Sequence, residues 1–312
     1  SERQALGRYP DANGFALKQA LSEHYGVASD WITLGNGSND LLELVSLALL
    51  NEHTSCVYSQ YAFVVYRLST QARGARHIQV PAKNYGHDLD AMFEAIAEDT
   101  RLVFIANPNN PTGTFHSGQA IEDFVARVFE KYGLNVTVVL DEAYNEYLDP
   151  ELRFNSAALV GKYPNLVVLR TFSKAYGLAA IRVGFAIARP ALTDFFNRVR
   201  QPFNVNSFAQ VAAQAALQDT EFLQRTYELN KQGKEMLSQA FTQLGLSYVP
   251  SYGNFILVKI PDALLVNQEL LRKGVIVRPV VGDGLPDHLR VSIGLPQENQ
   301  RFIEALTEVL EQ

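Results

Sequence analysis

The sequence predicts an α/β protein: a large domain with a mainly parallel sheet between helices, followed by a smaller C-terminal α+β domain. Three observations predict it. Short, continuously apolar runs recur through most of the chain, and helical periodicity sits between several of them. Strands that are apolar at every position are buried on both faces, as in a parallel sheet covered by helices. Near the C-terminus, three β-like runs instead follow one long helix.

The elements follow in order. Residues 15–25 (FALKQALSEHY) and 39–50 (NDLLELVSLALL) have an apolar period suited to helices. Apolar runs follow at 55–58, 76–80, 101–106, 135–140, 165–170 and 183–188, with helical patterns at 89–97 and 117–132. A polar–apolar helix spans about 220–245, then come NFILVKI, GVIVRPV and HLRVSIG, and a closing helix at about 297–311. The expected division is a large domain over 1–221 and a small one over 222–312.

Composition narrows the function. The chain has 312 residues, 47% hydrophobic and 19% charged, enough for a sizeable core. A formal net charge of −6 argues against non-specific nucleic-acid binding. The single cysteine, Cys56, permits no internal disulfide and suits a reducing cytoplasm; it reads as a small core residue. The start, SERQALGRYPDANGF, has no apolar h-region and does not read as a signal peptide. The most apolar helical stretch, LLELVSLALL, is too short to cross a bilayer. The histidines are scattered without an HxxxH spacing, so no metal site is expected.

In parallel α/β sheets, sites form beyond the carboxyl ends of strands. Three apolar runs end in unusual chemistry: RLVFIA in NPNNPTG, NVTVVL in DEAY, and NLVVLR in TFSK. A lysine at a strand end, Lys174, is partly desolvated, which favours its neutral amine and Schiff-base chemistry; an ion-pair lysine is the plainer reading. Asp141 needs a partner there: a helix end, an arginine, or a proton on a heterocyclic nitrogen. Tyr144 lies three residues on. NPNNPTG is dense in turn formers, and Asn110 within it is a candidate ligand contact. GNGSND precedes a helix, with Ser38 and Asn39 as N-cap candidates, and a helix start is an anion site. Thr171, Ser173 and Arg182 would complete a phosphate cradle. A ligand with a carbonyl, a protonated ring nitrogen, a phenolic oxygen and a phosphate satisfies all of these groups. Pyridoxal 5′-phosphate is such a ligand.

NPNNPTG, DEAY and TFSKAYGLAAIRVG, in that order, resemble the fold-type-I pyridoxal-phosphate aminotransferases. RYPD near the start and HLRVSIG near the end are similar to the histidinol-phosphate aminotransferase branch. The resemblance covers nearly the whole chain. It implies that Lys174 carries the cofactor covalently and Asp141 pairs with its ring nitrogen. Asn110 and Tyr144 would meet its phenolic oxygen. Ser38, Asn39, Thr171, Ser173 and Arg182 would bind its phosphate, and Phe63 would stack on its ring, with Tyr61 and Tyr66 as rivals. Tyr9 would reach the cofactor phosphate of a neighbouring subunit, which implies a homodimer. Arg290 would bind the substrate's anion, with Arg278 and Asn254 as further substrate contacts. Where some relatives have a tyrosine, VVGDGLPDH has Asp283; Ala180 replaces a common glycine. The family's N-terminal arm is expected to be missing.

The implied reaction is a ping-pong transamination between a small-molecule amino donor and a 2-oxo acid, with the Lys174 amine moving the substrate's proton. The expected activity converts histidinol phosphate and 2-oxoglutarate to imidazole-acetol phosphate and glutamate, in histidine biosynthesis. Alternatives are an aromatic amino-acid aminotransferase, a threonine-phosphate decarboxylase-like enzyme, or a cofactor-binding regulator domain. No helix-turn-helix or basic segment accompanies the chain to favour the last.

Overall fold

A computed structural model describes residues 7–311. Its large sheet has seven strands: β1 (Ile32–Gly35), β2 (Ser55–Ser59), β3 (Arg76–Val80), β4 (Thr100–Ala106), β5 (Thr137–Asp141), β6 (Leu166–Thr171) and β7 (Gly184–Ile187). Their order is β1-β7-β6-β5-β4-β2-β3. Neighbours from β6 through β3 are parallel, whereas β7 is antiparallel to both β6 and β1.

Alternation along the central strands explains why their apolar runs are continuous. Val103 and Ile105 of β4 enter one core layer; Leu102, Phe104 and Ala106 enter the other. The first layer is closed by helices Phe15–Tyr25, Gly118–Tyr132 and Ser207–Gln218, through residues such as Leu21, Phe124 and Ala213. The second is closed by Ser38–Leu49, Val64–Ala72 and Pro190–Val199, through Leu42, Tyr66 and Phe196. Each fully buried Leu or Phe adds about 1.5–3 kcal/mol of hydrophobic stabilisation. Cys56 is buried in the second layer, and burial pushes its thiol up to about 12.

The second sheet is small and antiparallel: β8 (Tyr248–Val249), β9 (Phe255–Lys259), β10 (Arg278–Pro279) and β11 (His288–Ser292), in the order β10-β11-β9-β8. Helices Thr220–Gln243, Ala263–Arg272 and Pro296–Leu310 pack on it around Leu237, Leu270 and Phe302. The expected boundary at 221/222 falls in the first turn of Thr220–Gln243, whose start is capped by Asp219 accepting from Phe222 N–H.

Three local expectations are corrected. The run GVIVRPV is strand only at Arg278–Pro279, because just that stretch pairs with β11. Strand β1 and helix Val64–Ala72 were not foreseen; β1 is only four residues long and gives no period to detect. Ser38 and Asn39 are not N-caps. Gly37 occupies the cap at φ 86°, and both residues already lie in the helix.

Candidate active site

The strand register places the site. Ala106 pairs with Asp141, and Asp141 with Leu169, so β4, β5 and β6 end side by side. Their ends open on a cavity of about 220 Å³.

Asp141 is the last residue of β5 and is buried, with its carboxylate in the cavity wall. Its Oδ2 accepts from the Tyr66 hydroxyl at 2.8 Å and its Oδ1 from Ala143 N–H at 3.2 Å. Burial raises its pKa, opposed by those two bonds and by the Lys174 charge. Glu142, the next residue, projects to the other side, where it ion-pairs with buried Arg170 at 2.7 Å. DEAY thus splits its two acids between a site and a structural pair. Tyr144 lines the cavity, and burial pushes its phenol up to about 12.

Lys174 follows β6 after Thr171, Phe172 and Ser173. Its ammonium stands 5.4 Å from the centre of the Tyr144 ring. Although the side chain is exposed to the open cleft, crowding by protein depresses its pKa; Arg290 adds to this and Asp141 opposes it. A depressed pKa makes the neutral amine more available for attack on a carbonyl.

Ser38, Asn39, Thr171, Ser173 and Arg182 all line the cavity. Helix Ser38–Leu49 has no side-chain cap, so its first N–H groups are left for an anion. Arg182 adopts φ 60° and donates to Ser173 Oγ at 3.1 Å and Ala179 O at 2.9 Å. Gly37 lets this cradle close, because a Cβ there would collide with the Arg182 guanidinium. Gly184 sits beneath it: a Cβ would stand 2.8 Å from Ser38 N and 2.9 Å from Arg170 O. Ala180 is exposed, so its methyl has room.

Arg278 and Arg290 also line the cavity, directly opposite each other on β10 and β11. Arg290 Nη1 donates to Asn110 Oδ1 at 2.7 Å, and its guanidinium lies 4.9 Å over the Phe255 ring. Asp283 supplies a countercharge 3.4 Å from Arg278. Phe63 lines the cavity, while Tyr61 packs against Tyr85 instead.

Two predicted residues lie outside the lining. Asn254 is not in the wall; its side chain meets Tyr147. Tyr9 is 81% exposed and stacks on Phe203, ring centres 4.6 Å apart. Tyr66 enters the wall in a role the sequence did not suggest, as the partner of Asp141. Its spacing from Phe63, three residues along a helix start, is the signal that places both on one face.

The donor set fits pyridoxal phosphate: an amine, a buried carboxylate, a phenol, and an uncapped helix start beside an arginine. Among the described residues, no group of three or more His, Cys, Asp or Glu is placed to hold a metal, and no helix is long and apolar enough to cross a membrane.

The family model "Aminotransferase class I and II" matches residues 1–306. The chain is 61% identical to histidinol-phosphate aminotransferase 1 of Cupriavidus pinatubonensis over 98% of this chain and 81% of the relative. It is 59% identical to histidinol-phosphate aminotransferase 2 of Ralstonia nicotianae over 98% of this chain and 82% of that protein. Among solved structures, it resembles the histidinol-phosphate aminotransferase of Sinorhizobium meliloti in complex with pyridoxal-5′-phosphate. That likeness has a TM-score of 0.89 at 28% identity and covers 99% of this chain and 85% of the other.

Proposed function

The chain belongs to the aminotransferase class I and II family, and on that premise we propose that it is a pyridoxal-phosphate-dependent transaminase acting on histidinol phosphate and 2-oxoglutarate, yielding imidazole-acetol phosphate and glutamate for histidine biosynthesis. The observation that carries the chemistry is the convergence of Lys174, Asp141, Tyr144 and the Arg182 cradle on one cavity. The identity of 61% to a histidinol-phosphate aminotransferase supports the substrate.

When bound, the cofactor supplies a carbonyl for covalent capture of amines and a ring that accepts electrons. The chain's own residues do the rest. Lys174 would hold the cofactor, and its amine is placed to move a proton of the substrate carbon. Asp141 would keep a proton on the ring nitrogen. Asn110 and Tyr144 would meet the phenolic oxygen, and Phe63 would pack on the ring. Ser38, Asn39, Thr171, Ser173 and Arg182 would hold the phosphate. Arg290 would bind the anion of each substrate in turn, with Arg278 as a second contact for a phosphate dianion; Asn254, turned toward Tyr147, is left out of this set.

The reading includes a large cofactor-binding domain over 1–221, a small one over 222–312, and a cytoplasmic homodimer in which Tyr9 reaches the partner's phosphate cradle. Its exposed ring is suited to such a contact. Mixing inactive Lys174→Ala and Tyr9→Ala chains should restore activity as mixed dimers form; mixed dimers without activity would contradict a shared site. Substrate choice is tested by initial rates with histidinol phosphate or phenylalanine, each with 2-oxoglutarate. A higher kcat/KM for the phosphate ester supports the reading, and preference for phenylalanine overturns it.

A further inference from the structure

We propose that Tyr66 is a positioning residue for Asp141: its hydroxyl fixes the direction of the carboxylate and keeps it an acceptor, so that the shared proton stays on the cofactor's ring nitrogen. The proposal rests on the reading that Asp141 meets that nitrogen.

The geometry leaves Asp141 one open side. Tyr66 Oη donates to Oδ2 at 2.8 Å and Ala143 N–H to Oδ1 at 3.2 Å. An ionised carboxylate has about four acceptor sites, so accepting capacity remains after both bonds. Asp141 also lines the cavity, which is where a ring nitrogen would come. The two donors together prevent the carboxylate from swinging.

The phenol is itself held rigidly. Tyr66 is fully buried, its ring stacked on Phe104 at 4.5 Å and 8°, and set edge-on to Phe63 at 5.9 Å and 88°. One aromatic cluster therefore supports both Phe63, which faces the cavity, and the partner of Asp141. A buried hydroxyl is costly without an acceptor, so the site ties the Tyr66 proton to the carboxylate.

The electrostatics point the same way. Burial alone would drive a proton onto Asp141, and the Tyr66 hydrogen bond is the largest effect opposing this. Tyr66 remains a donor because burial and the adjacent carboxylate raise its own pKa well above the usual tyrosine value. The other titratable groups facing Asp141 are Tyr144 and Lys174. Without Tyr66, a protonated Asp141 would no longer hold the proton on the ring nitrogen.

The test is Tyr66→Phe, which keeps the ring and removes one oxygen. In cofactor-free protein, carbon-13 NMR of the Asp141 carboxylate should show its pKa raised by about one unit or more. In loaded protein, the nitrogen-15 shift of labelled cofactor should move toward the unprotonated ring at lower pH than in the parent. Loss of a hydrogen bond to a charged group should lower kcat roughly ten- to a hundredfold, with KM for the amino donor little changed. Incorporating 3-fluorotyrosine at position 66 is a second variant that preserves packing. As a stronger acid it should donate more strongly and move the Asp141 pKa down. Folded variants with an unmoved Asp141 pKa and an unmoved nitrogen-15 titration would overturn the proposal. The underlying reading fails separately: Asp141→Asn would then leave the nitrogen-15 titration of the parent unchanged.

Discussion

Arg290 is hydrogen-bonded to Asn110 at 2.7 Å, a bond that ties β11 of the small sheet to the turn after β4. With Oδ1 engaged, the Asn110 amide has its N–H groups left for an oxygen in the cavity. A substrate anion would compete with Asn110 for the same guanidinium.

Arg290→Lys should therefore impair both half-reactions, because lysine keeps the charge and loses the fork. A loss of roughly ten- to a hundredfold is expected, the worth of one or two charge-assisted hydrogen bonds. Arg278, opposite Arg290 and partly neutralised by Asp283, should matter more to a dianion. Arg278→Lys is expected to raise KM for histidinol phosphate more than for glutamate. Single-turnover kinetics of each half-reaction measures both effects. An intact glutamate half-reaction in Arg290→Lys would move the anion site elsewhere.

Asp141→Asn should retain much cofactor binding, since the phosphate cradle is untouched, but slow proton abstraction. The amide offers no charge to hold a proton on the ring nitrogen. A loss of several kcal/mol in transition-state stabilisation is expected, at ~1.4 kcal/mol per tenfold in rate. Near-normal turnover of the loaded variant would contradict the assigned role.

His87 makes stability depend on pH. Its Nε2–H donates to Ala106 O at 2.9 Å, at the end of β4, while Nδ1 is buried without a partner. Burial lowers its pKa from 6.5 to about 4, and His116 adds to the effect. Between those values the unfolded chain binds the proton and the folded protein does not, so stability falls as pH falls. From pH 7 to pH 5 this contributes a loss of about 2 kcal/mol. Urea denaturation at both pH values should show a smaller loss in His87→Gln by about that amount. Equal losses would mean that His87 titrates in the fold as it does in the unfolded chain, and would contradict this account.

Much of this site was legible because buried parallel strands leave a plain trace. RLVFIA, VTVVL and NLVVLR are apolar throughout since both faces are covered, and the chemistry begins where each stops. That trace marks Asp141, Lys174 and Asn110 as candidates; their roles came from their combination and from the family resemblance. Tyr66 did not, because hydrogen bonding to Asp141 joins residues 75 positions apart, and no local pattern encodes it. Gly37 as cap was hidden by Ser38 and Asn39, which are stronger capping residues in general. The cap went to glycine because only a residue without a Cβ lets the loop approach Arg182 at positive φ. GVIVRPV misled for a different reason: Val275 and Val277 pack on the core of the small sheet without strand partners, and Ile276 is exposed.

The central claim is that Lys174 is the covalent anchor. Among nine lysines, it alone follows an apolar run within TFSK, and it lines the cavity with Asp141 and Arg182. Borohydride reduction of the loaded protein, followed by peptide mapping, tests this most directly. The pyridoxyl group is expected on the peptide containing Lys174, with one label per chain. A label on any other lysine, or none on a protein that binds the cofactor, would contradict the account.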